Sequence, residues 1–107
     1  MNVKTNNSEQ CDYALQDLYN VYDPEIGLNI VDLGLVYELY FDDVDKKLVC
    51  IMTLTTQFCP MGDAITTDTR NSLTKSFPDW EVTINLIFEP AWNFSMLSPD
   101  GRAYLGQ

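Results

Sequence analysis

The sequence predicts a small α/β (α+β) domain, with a three-stranded mixed sheet covered by helices mostly on one face. Three observations carry this. Two stretches of strand-like sequence, 36–42 and 48–56, are joined by a turn of only five residues, which makes them an antiparallel hairpin. A helical stretch, 61–77, separates the second strand from a third at 80–89. A helix of that length suits a right-handed crossover, which would set strands two and three parallel. Before the hairpin, residues 9–22 place apolar side chains at helical spacing. The expected order is α-β-β-α-β-α in one domain spanning 9–107, behind a flexible leader at 1–8.

The leader is polar and rich in Asn, Thr and Ser, and Ser8 is a candidate N-cap. From Glu9, the residues Cys11, Ala14, Leu15, Leu18 and Tyr22 share one helical face, while Asp12, Gln16 and Asp17 take the other. The helix is expected to stop near Tyr22, because Asp23 precedes Pro24 and a residue before proline avoids the α region. Residues 23–35, DPEIGLNIVDLGL, read as an ordered loop in which Asp23 caps a short turn. In VYELYFD (36–42), Tyr37, Leu39 and Phe41 alternate with Val36, Glu38 and Tyr40, a strand pattern. DVDKK turns the chain, and LVCIMTLTT (48–56) is the second strand. Met61, Ala64, Ile65, Leu73 and Phe77 form the stripe of the next helix, which carries Thr66, Thr67, Thr69, Ser72 and Thr74, mediocre helix formers, and ends at Pro78. In WEVTINLIFE (80–89), Val82, Ile84, Leu86 and Phe88 alternate with polar residues, and Val82–Phe88 is a candidate sheet edge. A Pro90-Ala91-Trp92 turn, with Trp92 expected to pack, precedes a short helix around Pro99–Leu105.

Composition narrows the function classes. The 107 residues hold 16 acidic and 6 basic side chains, a net charge of −10, no histidine and three cysteines. Such a charge repels phosphate backbones and anionic lipid, so no nucleic-acid or membrane partner is expected. Without histidine there is no Ser-His or Cys-His dyad and no imidazole ligand. Three cysteines with no C-x-x-C spacing argue against a disulfide scaffold and a self-contained zinc site. No apolar stretch approaches the ~20 residues of a membrane span, and the N-terminus lacks the apolar core of a signal peptide. A reducing, cytoplasmic location is expected.

Cys59 is the residue around which chemistry is expected. It stands at a strand-to-helix junction, and Pro60 suits the first helical position, so Cys59 reads as the N-cap. There the helix dipole and unpaired amides favour a thiolate, a better nucleophile and soft-metal ligand; the alternative is a buried, inert cysteine. Cys50, mid-strand, and Cys11, on the apolar helical face, read as core residues. Thr53 and Thr55 would share one strand face and Thr56 the other, offering hydroxyls to a thiolate or anion, or serving only as strand formers. Asp23, Glu25 and Asp32 place three carboxylates in one loop, with Glu89 at the end of the last strand; carboxylates can bind metals or move protons.

Four segments resemble a known family. DPEIGLNIVDLGLVYEL (23–39), MTLTTQFCP (52–60), EPAW (89–92) and MLSPDGRAYLG (96–106) are similar, in order and at natural distances, to the SufT/PaaD-like metal–sulfur cluster assembly factors. The resemblance covers about residues 10–106. It implies an α/β fold and a role in maturing iron–sulfur proteins, by carrying a cluster transiently or helping its transfer. It also implies apo iron–sulfur proteins and the assembly machinery as partners, no tightly bound cofactor, and a non-catalytic part. The family's cysteine matches Cys59, its acidic pair Asp23 and Glu25, its DLGLVY segment Asp32 to Tyr37, and its threonines Thr53, Thr55 and Thr56. Phe58 is bulkier than the residue that often precedes the family's cysteine, a departure expected to narrow access to the thiol.

Protein-bound iron–sulfur clusters usually take about four thiolates, and one chain offers a single candidate. A stable carrier would therefore need a homodimer, carboxylate ligands or a small thiol, whereas a transfer factor or adaptor needs none. Two other readings compete: a thiol enzyme with Cys59 served by Asp23 or Glu25, and a non-catalytic subunit of an oxygenase-type complex, as the PaaD branch suggests.

Overall fold

The computed structural model describes residues 3–57 and 60–106. Its strands and helices are β1 (Lys4–Thr5), α1 (Ser8–Leu18), β2 (Tyr22–Asp23), β3 (Leu28–Asn29), α2 (Ile30–Leu33), β4 (Val36–Asp42), β5 (Lys47–Met52), α3 (Gly62–Ser76), β6 (Glu81–Leu86) and α4 (Pro99–Leu105). A 3-10 turn, Phe94–Met96, precedes α4.

The main sheet is mixed and has four strands rather than the expected three, in the order β1-β4-β5-β6. β4 and β5 form the expected antiparallel hairpin, with Leu39 opposite Cys50 and Phe41 opposite Leu48. The α3 crossover sets β6 parallel to β5, with Cys50 opposite Ile84, and β6 is an edge strand, as its sequence suggested. The extra strand comes from the polar leader. Lys4 and Thr5 pair in parallel with Glu38 and Leu39. Next to them the Asn6 side chain substitutes for a strand residue: its Nδ2 donates to the Phe41 carbonyl at 2.8 Å and its Oδ1 accepts from the Phe41 amide at 2.9 Å. Two residues are too few to show a period-2 apolar pattern, so the strand leaves no mark in the sequence.

One face of the sheet is buried. Leu39, Phe41, Leu48, Cys50 and Met52 are covered, while Tyr40 is exposed and Glu38, Val49 and Ile51 are only partly covered. The buried face packs on α1 through Cys11, Ala14, Leu15 and Leu18, and on α3 through Ile65 and Leu73. At one end, Phe41, Phe77 and Trp80 pack as three mutually tilted rings, with Tyr13 edge-on to Phe77. Such ring contacts add to the stability gained from burial itself.

Boundaries differ from expectation where backbone polar groups find tertiary partners. α1 ends at Leu18, not near Tyr22. Asn20 and Val21 amides close onto Asp17 and Leu18 carbonyls, and the Val21 carbonyl is then taken by the Ile30 amide. Tyr22 thereby leaves the helical face for the β2–β3 hairpin and is exposed. The cap of α1 is Asn7 rather than Ser8; its side chain accepts from the Gln10 amide at 3.0 Å. The buried stripe of α3 is Gly62, Ile65, Thr69, Leu73 and Ser76, with Ala64 and Met61 exposed. Thr69 is tolerated there because its hydroxyl donates to the Ile65 carbonyl at 2.7 Å.

Candidate functional site

Four segments that are distant in sequence meet where β4 begins and β5 ends. Val36 pairs with Met52, and the next amide, that of Thr53, donates to the Leu35 carbonyl at 2.9 Å. On the other side the Met52 carbonyl accepts from the Ile87 amide at 2.9 Å. The Tyr37 hydroxyl donates to the Pro90 carbonyl at 2.8 Å and contacts Met96 Sδ at 3.4 Å. Burial raises the Tyr37 phenol above its ordinary pKa, and a hydrogen bond with Thr53 partly offsets that rise. The Trp92 indole donates to the Leu33 carbonyl at 2.6 Å and stacks edge-on with Phe94, so Trp92 packs as expected.

Two local devices shape this junction. Asn29 caps α2 by accepting from the Asp32 amide at 2.8 Å. Gly34 closes α2 in the left-handed region, φ 79°, and lies against the Met96 backbone. Asp32 then links the two short helices. One carboxylate oxygen accepts from Asn29 Nδ2 at 2.7 Å and the other from the Ser98 hydroxyl at 2.6 Å. Ser98 itself caps α4, accepting from the Gly101 amide at 3.0 Å, and its own amide donates to the Asp32 carbonyl at 2.9 Å. Asp32 therefore acts as a clasp between α2 and α4.

The expected site residues occupy three settings. Asp32 serves the clasp. Asp23 is almost fully buried and shapes its own turn, its Oδ1 accepting from the Glu25 amide at 3.0 Å and its carbonyl from the Gly27 amide at 2.7 Å. Glu25 is exposed on that turn. Thr53, Thr55 and Thr56 lie beyond the end of β5 instead of within it, so the expected alternation of faces is replaced by a gradient: Thr53 buried, Thr55 half-buried, Thr56 exposed. Cys59 and Phe58 lie outside the described residues. The N-cap of α3 is Met61, without a side-chain cap bond, rather than Cys59. Pro60 therefore precedes the helix instead of opening it.

The segment that carries Cys59 is fixed at both ends. Thr53 is tied to Leu35, and the start of α3 returns to the same place: a Cβ on Gly62 would stand 2.8 Å from Leu54 Cδ1. Among the described residues, no group of three or more His, Cys, Asp or Glu side chains is arranged to hold a metal ion. Cys11 and Cys50 are core residues, and burial raises both thiols, Cys50 to about 12. Alkylation of the native protein at mildly alkaline pH is expected to spare both, and unfolding in urea to expose both. Peptide mass mapping reads this; rapid native modification of Cys50 would contradict its place in the core.

Sequence reading missed Ser98, Asn29, Gly34 and the bonding of Tyr37. Ser98-Pro99 ahead of a helix is a legible cap signal, and Asn29 three residues before Asp32 is another. The contacts of Gly34 and Tyr37 with Met96 and Pro90 span more than fifty residues and have no local signature.

Comparison with known proteins places this arrangement. The sequence profile of the iron–sulfur cluster assembly protein family matches residues 14–85. An Fe-S protein maturation auxiliary factor of Porphyromonas gingivalis is 42% identical over 91 residues, 83% of this chain and 84% of that protein. The Fe-S protein maturation auxiliary factor SufT of Staphylococcus aureus is 38% identical over 88 residues, 80% of this chain and 97% of that protein. The crystal structure of a domain of unknown function from Bacillus anthracis superposes with a TM-score of 0.83 at 31% identity, covering 94% of this chain and 98% of that one. With a family match over most of its length, close relatives spanning most of theirs, and the same fold, the chain belongs to the iron–sulfur cluster assembly protein family.

Proposed function

We propose that this protein is a cytoplasmic, non-catalytic auxiliary factor in the maturation of iron–sulfur proteins, and that Cys59 is its working thiol. The observation that carries the reading is the anchoring of the Cys59 segment. The described residues on either side of Cys59 are held: Thr53 by the Leu35 carbonyl, Leu54 in the core, and Gly62 against Leu54. A single thiolate binds a cluster too weakly to retain it, since protein-bound clusters usually take about four. The cluster is thus cargo, and a partner or a second copy supplies the remaining ligands. Thr53, Thr55, Thr56, Asp23 and Glu25 are the supporting polar groups in this reading. The partners are apo iron–sulfur proteins and the machinery that builds clusters. The maturation-factor names of the relatives favour this role over an oxygenase subunit.

The test is a strain lacking the gene, complemented with wild type or with Cys59→Ala, with activities of iron–sulfur enzymes as readout. Wild type is expected to restore them and Cys59→Ala to leave them at the level of the deletion. Full restoration by Cys59→Ala would remove the thiol's role; no defect in the deletion would remove the function.

A further inference from the structure

A groove of about 750 Å³ runs between the β1–β4 side of the sheet and the segment 87–100. That is the size of a ligand-binding cleft. Its floor is apolar, with Val31, Val36, Ile87 and Leu97, and four carboxylates from four separate segments stand around it: Asp32, Glu38, Glu89 and Asp100. Lys4 is the one basic side chain on its described lining. An apolar centre with a charged rim is the anatomy of a recognition surface.

The carboxylates divide in two. Asp32 is engaged with Asn29 and Ser98, and Glu38 accepts from the Tyr40 hydroxyl. Glu89 and Asp100 are exposed and make no hydrogen bond or ion pair among the described residues. The negative field acts within the groove: the Tyr19 phenol on its wall is raised above its ordinary pKa, first by burial and then by Asp32 and Asp100.

We propose that this groove docks an extended, basic segment of a partner protein, its apolar side chains on the floor and its Lys or Arg side chains against Glu89 and Asp100. Charge complementarity selects the occupant. Nucleic acid and anionic lipid are repelled, and a second copy of a chain with 6 basic side chains against 16 acidic ones offers this rim little to pair with. A small polyamine would satisfy the rim and leave the apolar floor uncovered, whereas a peptide that alternates basic and apolar side chains satisfies both. The proposal concerns a partner and stands whether or not Cys59 handles clusters.

The test uses the full chain and a fluorescein-labelled nonapeptide alternating lysine or arginine with leucine, read by fluorescence anisotropy at about 0.15 M salt, where the Debye length is about 8 Å. Wild type is expected to bind it, to ignore the same peptide with glutamate in place of the basic residues, and to bind more weakly when serine replaces leucine. Glu89→Gln/Asp100→Asn is expected to bind about tenfold more weakly, since two exposed charge pairs are lost. A control pair outside the groove, Asp45→Asn/Asp79→Asn, removes the same charge and is expected to bind within about twofold of wild type, because exposed charges more than a Debye length away are screened. The proposal is overturned by absence of binding to wild type, by equal loss in the control pair, which would mean only net-charge attraction, or by undiminished binding of the serine peptide.

Discussion

Gly34→Ala is expected to destabilise the protein by about 2–5 kcal/mol. Two effects add. A side chain held at φ 79° costs roughly 1–2 kcal/mol in a left-handed conformation. The new Cβ would also stand 2.2 Å from the Met96 carbonyl oxygen and 2.9 Å from its carbon, and overpacking of this kind costs about 1–3 kcal/mol. The Met96 backbone cannot step aside freely, because its amide is bound to Asn93 and the Ser98 amide to Asp32. Against a total stability of about 5–15 kcal/mol for a domain, the loss is large. Urea unfolding of wild type, Gly34→Ala and Gly106→Ala separates the two effects. Gly106 also has positive φ, 74°, but a Cβ there meets nothing within 4 Å, so only the strain should appear. A Gly34→Ala midpoint as high as that of Gly106→Ala would contradict the close approach of Gly34 and Met96.

Asp32→Ala is expected to cost about 2–4 kcal/mol, because two hydrogen bonds to a half-buried carboxylate are lost together. It leaves the Asn29 amide group and the Ser98 hydroxyl to find other partners, and it loosens the cap of α4. Asp100→Ala on the exposed first turn of α4 should move stability by no more than about 0.5 kcal/mol. Hydrogen exchange locates the effect. Faster exchange in α4 than in the β4–β5 hairpin is expected for Asp32→Ala, and unchanged α4 protection would show that the clasp is not what holds this helix.

Strands β4 and β6 were legible because each alternates over six or more residues, β5 because it is a short apolar run one tight turn after β4, and the parallel pairing of β5 with β6 followed from the length of the helix between them. α4 was legible from Pro99 and the glycine that ends it. β1 was not, since two polar residues that bond an edge carry no pattern. The end of α1 was misplaced because a proline rule marks where a helix must have stopped, not where tertiary hydrogen bonds stop it sooner. Cys59 as N-cap failed for a related reason: Pro60 fits a first helical position, but the backbone enters α3 only after Met61. Asp32 stood out as one acid among several in a loop. Its part in joining α2 to α4 depends on Ser98, 66 residues away, a pairing that local sequence cannot display.

The most direct measurement of the central claim is the rate at which an apo iron–sulfur enzyme regains activity under anaerobic conditions from a fixed source of iron, sulfide and thiol. It is compared without this protein, with wild type, and with Cys59→Ala of matched unfolding midpoint. The expected result is acceleration by wild type that saturates with its concentration, and none by Cys59→Ala. Equal acceleration by both proteins would contradict the role of Cys59, and no acceleration by either would contradict the maturation role itself.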